Sequence, residues 1–359
     1  IAEGAAPGLV AGVVRKGEAP QFWAAGAGGV ADPEPMTPDA VFWIASCTKA
    51  ITSAAALRLV EQGALDLDEP VGARLPALAA PQVLDGGRLR PAKRPLTLRT
   101  LLSHTSGLAY DFFSADLAGY FAATGGSLAG SLETGPPLLF DPGDGWCYGI
   151  GIDVAGWLIE QASGQALADH LAETLFAPLD MADTAFEPGP ALAARLCGMH
   201  TRRDGGAFAA ADRFPMTPQL YGGGGLYSSA RDYLKFLSAV IAEDGAGVLG
   251  PQTLRGLREP QDHPGSAGEL VTAAPSLSCD FRPLPGIPKR WTLGFLRNDA
   301  DVPGGRRAGS LAWGGLANCY YWADPQSGVA AVLFGQFLPF ADPKMLAVFE
   351  AFERAVYEP

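Results

Sequence analysis

The segment FWIASCTKAIT, residues 42–52, places Ser46 and Lys49 three positions apart, where an apolar run meets an alanine-rich one. Residues i and i+3 lie on one face of a helix, so this hydroxyl and this amine can come within hydrogen-bond reach. A serine becomes a useful nucleophile when a neighbouring base takes its proton, and a lysine can do so if burial depresses its pKa. Alternatively, Ser46 caps a helix and Lys49 is an exposed helix residue. The segment alone is compatible with both interpretations.

The residues after Ser46 predict one long, mostly buried helix. Good helix formers fill residues 48–62, apolar side chains recur at helical spacing from Ile51 to Leu59, and Gly63 is placed to end the helix. The start of such a helix offers backbone N–H groups and a favourable dipole for a developing negative charge.

Strands are predicted at both ends of the chain. Residues 8–29 contain two β-prone runs around a turn at Lys16-Gly17, which indicates a hairpin. Residues 309–323 and 327–337 are further β-prone runs, and an amphipathic helix follows at residues 343–357.

The middle of the chain predicts a different organisation. It is rich in Pro and Gly between helical stretches and contains no convincing strand pair. We therefore predict an α/β fold of the α+β type, with one antiparallel sheet built from N- and C-terminal strands and flanked by helices. Residues 1–72 and 221–359 would form this sheet domain, residues 73–220 a mainly helical inserted lobe, and the active-site cleft would lie between them.

Composition excludes several classes of protein. Of the 359 residues 48% are hydrophobic and 18% charged, which is typical of a globular protein, and the net charge of -12 disfavours nucleic acid as a partner. No apolar run reaches the roughly 18 residues that cross a membrane, and no signal peptide is visible, so we expect a cytoplasmic protein without a membrane partner. The five cysteines and four histidines are scattered without metal-ligand spacing, so we expect free thiols, no metal and no cofactor. The oligomeric state stays unknown.

Five segments in order along the chain carry a family resemblance. They are ASCTKAITSAAALRLVEQGALDLDEPV (45–71), TLRTLLSHTSGL (97–108), PGDGWCYGIGIDVAGWLIE (142–160), YGGGGLYSSARDYLKFL (221–237) and AWGGLANCYYWADPQSG (312–328). The series resembles the serine β-lactamase and penicillin-binding-protein superfamily over essentially the whole chain. Within it the likeness is greatest to the family VIII carboxylesterases and the lovastatin-type acyltransferases. The resemblance implies a β-lactamase/transpeptidase-like fold.

The resemblance also implies roles for individual residues. Ser46 matches the nucleophile and Lys49 the amine of the S-x-x-K motif, while Tyr148 matches a tyrosine that shares proton transfer with the lysine. A phenol beside a protonated lysine can approach a phenolate, take the serine proton and return it to the leaving group. The backbone N–H groups of Ser46 and Leu316 would form the oxyanion hole.

Two departures from the family pattern concern the substrate. Trp313-Gly314-Gly315 stands where lactam-recognising relatives carry K-T-G, so the cation that helps to hold a substrate carboxylate is missing. Ile150 replaces the asparagine of the Y-x-N motif that begins at Tyr148. Both changes favour neutral esters over lactams and peptides, with Trp313, Gly314 and Gly315 contacting the substrate.

Aromatic residues could line an acyl pocket, and we expect about half of the candidates to contact substrate. The candidates are Trp43, Phe112, Phe113, Tyr120, Tyr221 and Tyr227, of which Phe113 and Tyr227 are the chosen substrate-binding residues.

Other features invite alternative interpretations. His104, with Asp111 or Asp153, suggests a Ser-His-Asp set, but no G-x-S-x-G elbow accompanies it. Asp153 precedes an apolar-periodic run and is interpreted as a helix N-cap. The glycine-rich residues 221–226 are expected to form a flexible loop lining the cleft, and Cys47 to be a small packing residue.

These patterns predict a serine carboxylesterase that hydrolyses short to medium acyl esters, with a small-molecule ester as its partner. Ser46 would form the acyl-enzyme with help from Lys49 and Tyr148. One alternative keeps the same residues but makes the protein an acyltransferase, a weak β-lactamase or a D-amino-peptidase. Another alternative is a non-catalytic penicillin-binding-like module.

Overall fold

The computed structural model describes residues 4–30 and 33–358, so the outermost residues of the predicted sheet domain and residues 31 and 32 lie outside it. The strands are β1 Gly8–Arg15, β2 Gln21–Gly26, β3 Val41–Trp43, β4 Gln82–Asp85, β5 Arg88–Pro91, β6 His200–Arg202, β7 Phe208–Ala210, β8 Tyr227–Ser229, β9 Lys289–Trp291, β10 Leu296–Asn298, β11 Leu311–Gly315, β12 Cys319–Asp324, β13 Val329–Phe334 and β14 Phe337–Leu338. The α-helices are α1 Thr48–Glu61, α2 Leu98–Leu102, α3 Ala115–Thr124, α4 Leu128–Ser131, α5 Gly151–Ser163, α6 Leu167–Leu171, α7 Pro190–Ala193, α8 Tyr221–Gly224, α9 Ala230–Ile241, α10 Pro251–Arg258 and α11 Pro343–Tyr357.

A seven-stranded antiparallel sheet joins the two ends of the chain. Its order is β2-β1-β13-β12-β11-β10-β9, so the N-terminal hairpin pairs directly with the C-terminal strands. Gly17 has a φ of 84°, which a glycine adopts without a steric penalty, in the turn between β1 and β2. The predicted hairpin, the antiparallel sheet and the α/β fold class are all confirmed.

Helices cover both faces of this sheet, because successive side chains of a strand point to opposite sides. On β12, Tyr321 contacts Tyr233 of α9 with ring centroids 5.1 Å apart. The next residue, Trp322, contacts Phe349 and Phe352 of α11, each at 5.5 Å. The predicted C-terminal helix is therefore one of the layers that bury the sheet.

Two short strand pairs lie between residues 73 and 220, where the sequence predicted none. Strands β4 and β5 pair across Gly86-Gly87, both with positive φ, and β6 pairs with β7. Strand β5 has four residues, most of them exposed, and ends in a proline, so its sequence carries little strand signal. The remaining elements of this region are helices and turns, and the domain boundaries at residues 72 and 221 stay a prediction.

Neither a membrane-spanning helix nor a cluster of metal ligands is present among the described residues. Across residues 4–30 and 33–358, no helix has both the length and the apolar character needed to cross a bilayer. Over the same residues, no cluster of three or more His, Cys, Asp or Glu side chains could hold a metal ion.

Strand β11 approaches the segment before α1 very closely at Gly315. A Cβ atom added to Gly315 would lie 2.2 Å from the backbone oxygen of Ile44 and 3.3 Å from Cys47 Sγ. Only a residue without a side chain lets this strand edge reach the Ser46 region.

We expect Gly315→Ala to reduce the free energy of unfolding by about 1–3 kcal/mol, the usual cost of overpacking. Denaturant unfolding measures this change. Gly119→Ala is the matched control, because Gly119 lies in α3 with open space around it, so alanine should stabilise the helix by about 0.5–1 kcal/mol. Equal effects of the two substitutions would contradict the close approach.

Candidate active site

Ser46 lies in a short 3₁₀ turn, residues 45–47, immediately before α1. The N-cap interpretation is wrong, because Cys47 is the N-cap residue and no side-chain hydrogen bond caps the turn or α1. Ala45 has a φ of 44°, a strained value for a residue with a side chain, and such strain concentrates at functional sites. Ser46 is partly exposed between two buried neighbours and lines a cavity. Its hydroxyl is therefore available for chemistry.

Lys49 is almost completely buried, with 1% of its surface exposed, so the exposed-residue interpretation is also wrong. Its Nζ donates to the backbone oxygen of Gly223 at 2.7 Å, to Tyr110 OH at 2.9 Å and to Ser46 Oγ at 3.3 Å. An ammonium has three N–H donors, and each has an acceptor here. Loss of the proton shared with Ser46 would leave the lone pair facing the serine hydroxyl.

The surroundings of Lys49 adjust its pKa in the direction that a general base requires. Burial lowers the pKa of Lys49, and the negative charge of Asp153 partly opposes this. A lower pKa raises the fraction of neutral amine near neutral pH, and only neutral amine can accept the serine proton.

Tyr148 lies beside this pair, but not as the sequence suggested. Lys49 Nζ lies over the face of the Tyr148 ring, 4.9 Å from its centroid, while Trp313 Nε1 donates to Tyr148 OH at 2.9 Å. Burial raises the pKa of Tyr148, and contacts with the Ser46 hydroxyl and the Trp313 indole only partly oppose this. The expected approach to a phenolate is therefore disfavoured, and the environment suits a phenol that donates a proton.

Trp313 supplies a hydrogen bond where lactam-recognising relatives carry a cation. We expect Trp313→Phe to reduce kcat about tenfold, because a neutral hydrogen bond is worth about 1–1.5 kcal/mol and Tyr148 would lose its donor. Trp322→Phe is the matched control, since Trp322 Nε1 donates to Tyr357 OH at 3.2 Å on the far side of the sheet. Steady-state ester turnover distinguishes the two, and an equal loss in both variants would contradict a role in the site.

Leu316 follows the last residue of β11 and lines the same cavity as Ser46. Because Gly315 packs closely against the segment that carries Ser46, the backbone of Leu316 lies near that of Ser46. Two N–H groups that bind one oxyanion need to be close in this way. The oxyanion hole itself stays a prediction.

The cavity above Ser46 has a volume of about 500 Å³. Of the predicted substrate-binding residues, Phe113, Trp313 and Gly314 line it, while Tyr227 lines a smaller neighbouring cavity and Gly315 is not among the lining residues. Of the six candidate aromatics, half line the main cavity: Trp43, Phe112 and Phe113. The described lining residues include one charged side chain, that of Asp111. The cavity is thus predominantly apolar.

The site contains two further residues: Tyr110, which the sequence analysis missed, and Asp153, which it interpreted as a helix N-cap. Tyr110 OH donates to Asp153 Oδ2 at 3.4 Å while it accepts from Lys49. Asp153 is the third residue of α5, not its N-cap, and is fully buried. Tyr110 lies in a loop without periodicity, so a single sequence carries no signal for it.

The glycine-rich segment at residues 221–226 is not the flexible loop that was expected. Its first four residues form the helical turn α8, with Gly222, Gly223 and Gly224 buried. Gly223 N donates to Asp153 Oδ1 at 2.7 Å, and a Cβ atom on Gly223 would lie 2.3 Å from Asp153 Oδ2. The glycines allow α8 to pack directly on α5 while residues 223 and 224 still line the cavity.

His104 does not form a Ser-His-Asp set. It is 1% exposed, and neither ring nitrogen has a hydrogen-bond partner among the described residues. Its ring packs against Tyr148 at 4.7 Å and Trp291 at 4.9 Å. Burial, and then the Lys49 charge, hold the pKa of His104 well below its ordinary value, so it is a neutral packing residue.

Comparisons with known proteins identify the family of this chain. A family model described as Beta-lactamase matches residues 1–351. Monacolin J acid methylbutanoyltransferase of Aspergillus terreus is 34% identical over 351 residues, spanning 90% of this chain and 83% of that protein. Lovastatin esterase of Penicillium rubens is 31% identical over 322 residues, spanning 83% of this chain and 80% of that protein.

Solved structures show the same fold. A mutant of simvastatin synthase from Aspergillus terreus superposes with a TM-score of 0.86 and 31% identity, covering 99% of this chain and 91% of that chain. EstCE1, a hydrolase with promiscuous acyltransferase activity, superposes with a TM-score of 0.79 at 24% identity, covering 99% of this chain and 95% of its own, which shows the shared fold alone. The sequence resemblance is confirmed: this chain belongs to the β-lactamase family.

Proposed function

We propose that the protein is a serine acyltransferase, which moves a short acyl group from an ester or thioester onto the hydroxyl group of a larger apolar acceptor. The observation that carries this proposal is Lys49 Nζ, 3.3 Å from Ser46 Oγ, at a roughly 500 Å³ apolar cavity. Such a cavity has room for an acyl chain together with an acceptor, which water as acceptor would not require.

The relatives support transfer more than the plain carboxylesterase expected from sequence. Monacolin J acid methylbutanoyltransferase and other curated relatives are acyltransferases by name, whereas lovastatin esterase is an esterase by name. Hydrolysis is then the competing reaction, in which water replaces the acceptor. The β-lactamase and D-amino-peptidase alternatives are less favoured, because the described cavity lining has no cation to hold a substrate carboxylate.

The chemistry follows in two half-reactions. Ser46 Oγ attacks the donor carbonyl as its proton passes to neutral Lys49, and the N–H groups of Ser46 and Leu316 hold the oxyanion. The C–O or C–S bond breaks, the leaving group takes a proton from Tyr148, and Lys49 re-protonates Tyr148. In the second half-reaction, the acceptor hydroxyl attacks the acyl carbonyl and its proton passes to neutral Lys49. The bond between the acyl carbon and Ser46 Oγ then breaks, and Lys49 returns the proton to Ser46.

Product partitioning tests the proposal. The protein is incubated with p-nitrophenyl butyrate and increasing monacolin J acid or a neutral secondary alcohol, and free butyrate and the new ester are quantified by mass spectrometry. We expect the new ester to rise with acceptor at the expense of butyrate. Butyrate alone at every acceptor concentration would return the assignment to an esterase, and rapid nitrocefin turnover would favour a β-lactamase.

A further inference from the structure

Asp153 is a buried carboxylate for which a serine-lysine-tyrosine mechanism has no evident use. It is fully buried, and both of its oxygens accept hydrogen bonds, from Gly223 N at 2.7 Å and from Tyr110 OH at 3.4 Å. Burying an isolated carboxylate is costly, so its presence beside the site calls for a compensating partner.

That partner is Lys49, reached along two short paths. Asp153 Oδ2 accepts from Tyr110 OH, and Tyr110 OH accepts from Lys49 Nζ at 2.9 Å. Asp153 Oδ1 accepts from the N–H of Gly223, and the C=O of Gly223 accepts from Lys49 Nζ at 2.7 Å. Asp153, Tyr110, Lys49 and Gly223 thus form a closed ring of hydrogen bonds. The ring fixes two of the three hydrogen bonds of Lys49 Nζ, and the third is directed to Ser46.

We propose that Asp153 is a positioning residue for acylation of Ser46, which holds Tyr110 and α8 against Lys49 and sets the pH at which Lys49 accepts the serine proton. This inference rests on the proposed function, because it assigns Lys49 as the base. Asp153 touches neither substrate nor the reacting atoms and acts through its two neighbours.

The charges around the pair favour this assignment. The titratable groups that face Lys49 or Asp153 from the packed elements are Cys47, His104, Tyr110 and Tyr148. Burial raises the pKa of Cys47, Tyr110 and Tyr148 and lowers that of His104, so all four stay neutral near pH 7. Asp153 is therefore the one described group here that can supply a compensating negative charge, although burial also raises its own pKa.

The sign of the effect follows from this arrangement. A nearby negative charge favours the protonated amine, so Asp153 raises the pKa of Lys49 and delays the appearance of the neutral base as pH rises. Removing the charge should let Lys49 lose its proton at lower pH. Removing the ring of hydrogen bonds should at the same time let the amine move away from Ser46 and slow the reaction at every pH.

The test measures how fast a serine-directed phosphonate labels Ser46 as a function of pH, with the labelled residue located by mass spectrometry. For Asp153→Asn we expect the part of the pH profile in which the labelling rate rises to move to lower pH by about one unit or more, because one nearby negative charge is lost. We also expect a lower plateau rate. The KM for p-nitrophenyl butyrate should change much less than kcat, because Asp153 does not line the cavity.

Asp232→Asn is the matched control. Asp232 is also the third residue of its helix, is 2% exposed and accepts a backbone N–H from a distant segment, that of Asp183, but it lies outside the site. We expect Asp232→Asn to lower thermal stability and to leave the pH dependence of the labelling rate unchanged.

The outcomes separate this inference from the proposed function. If the unchanged protein is not labelled at Ser46, the proposed function fails. If Ser46 is labelled, but the labelling rate of Asp153→Asn rises over the same pH range as that of the unchanged protein, only the role of Asp153 is overturned. If Asp153→Asn does not fold, Tyr110→Phe breaks one side of the ring and keeps the carboxylate; labelling at the original rate across the pH range would then overturn the inference.

Discussion

Replacing Ser46 with alanine is expected to abolish acyl transfer and ester hydrolysis, with kcat falling by about 10⁴-fold or more. Alanine lacks the oxygen that forms the acyl-enzyme, so no covalent intermediate can arise. The fold should be retained, because Ser46 caps no helix. Intact-protein mass spectrometry after mixing with p-nitrophenyl butyrate measures the acyl adduct directly.

Ser53, in the adjoining helix α1, provides a matched control. It is completely buried, and its Oγ has no hydrogen-bond partner among the described residues, so Ser53→Ala should leave turnover and the acyl adduct unchanged. A butyryl adduct that persists in Ser46→Ala would show that another residue is the nucleophile.

The second large effect is expected at Lys49. We predict that Lys49→Met reduces the rate of Ser46 acylation by about 10²–10⁴-fold, the usual contribution of a general base. Methionine fills the apolar space left by the lysine stem but cannot take a proton. Rapid-mixing measurements of the p-nitrophenol burst report the acylation step by itself.

Two further variants distinguish a base from a simple positive charge. Lys49→Arg keeps the charge, but a guanidinium does not give up its proton in proteins, so we expect it to be as slow as Lys49→Met. Lys289, which has a 10% exposed side chain and lies 3.7 Å from Glu269, is the control, and Lys289→Met should react at the original rate. Substantial acylation by Lys49→Arg would mean that the amine acts as a charge and that the base lies elsewhere.

Burial connects stability with reactivity in this site. Lys49 and Asp153 are both removed from water, which costs free energy that their hydrogen-bonded ring partly offsets. The same removal from water lowers the pKa of the amine and makes it a usable base. A more exposed lysine would lose less hydration free energy on folding, but a smaller fraction of it would be neutral and reactive near neutral pH.

Local patterns in the sequence predicted most of the framework. The hairpin at Lys16-Gly17, the helix after Ser46, the C-terminal strands and the last helix were recognisable because each depends on periodicity and turn residues within about 20 positions. The strand pairs of the middle region were missed, since each of their strands is only three or four residues long. The spacing of Ser46 and Lys49 made them candidates, the family resemblance added Tyr148, and the structure brings these three side chains together.

The sequence by itself thus determined the sheet, its flanking helices and the candidate serine, lysine and tyrosine. The tertiary structure decided how they are connected: the Trp313 donor on Tyr148, the turn α8 packed on α5, and the ring through Tyr110 and Asp153. These contacts join residues 43 to 174 positions apart, and no local periodicity encodes them. The physical reason is that hydrogen-bond partners and desolvation depend on what packs nearby in space, and that is fixed only when the distant segments meet.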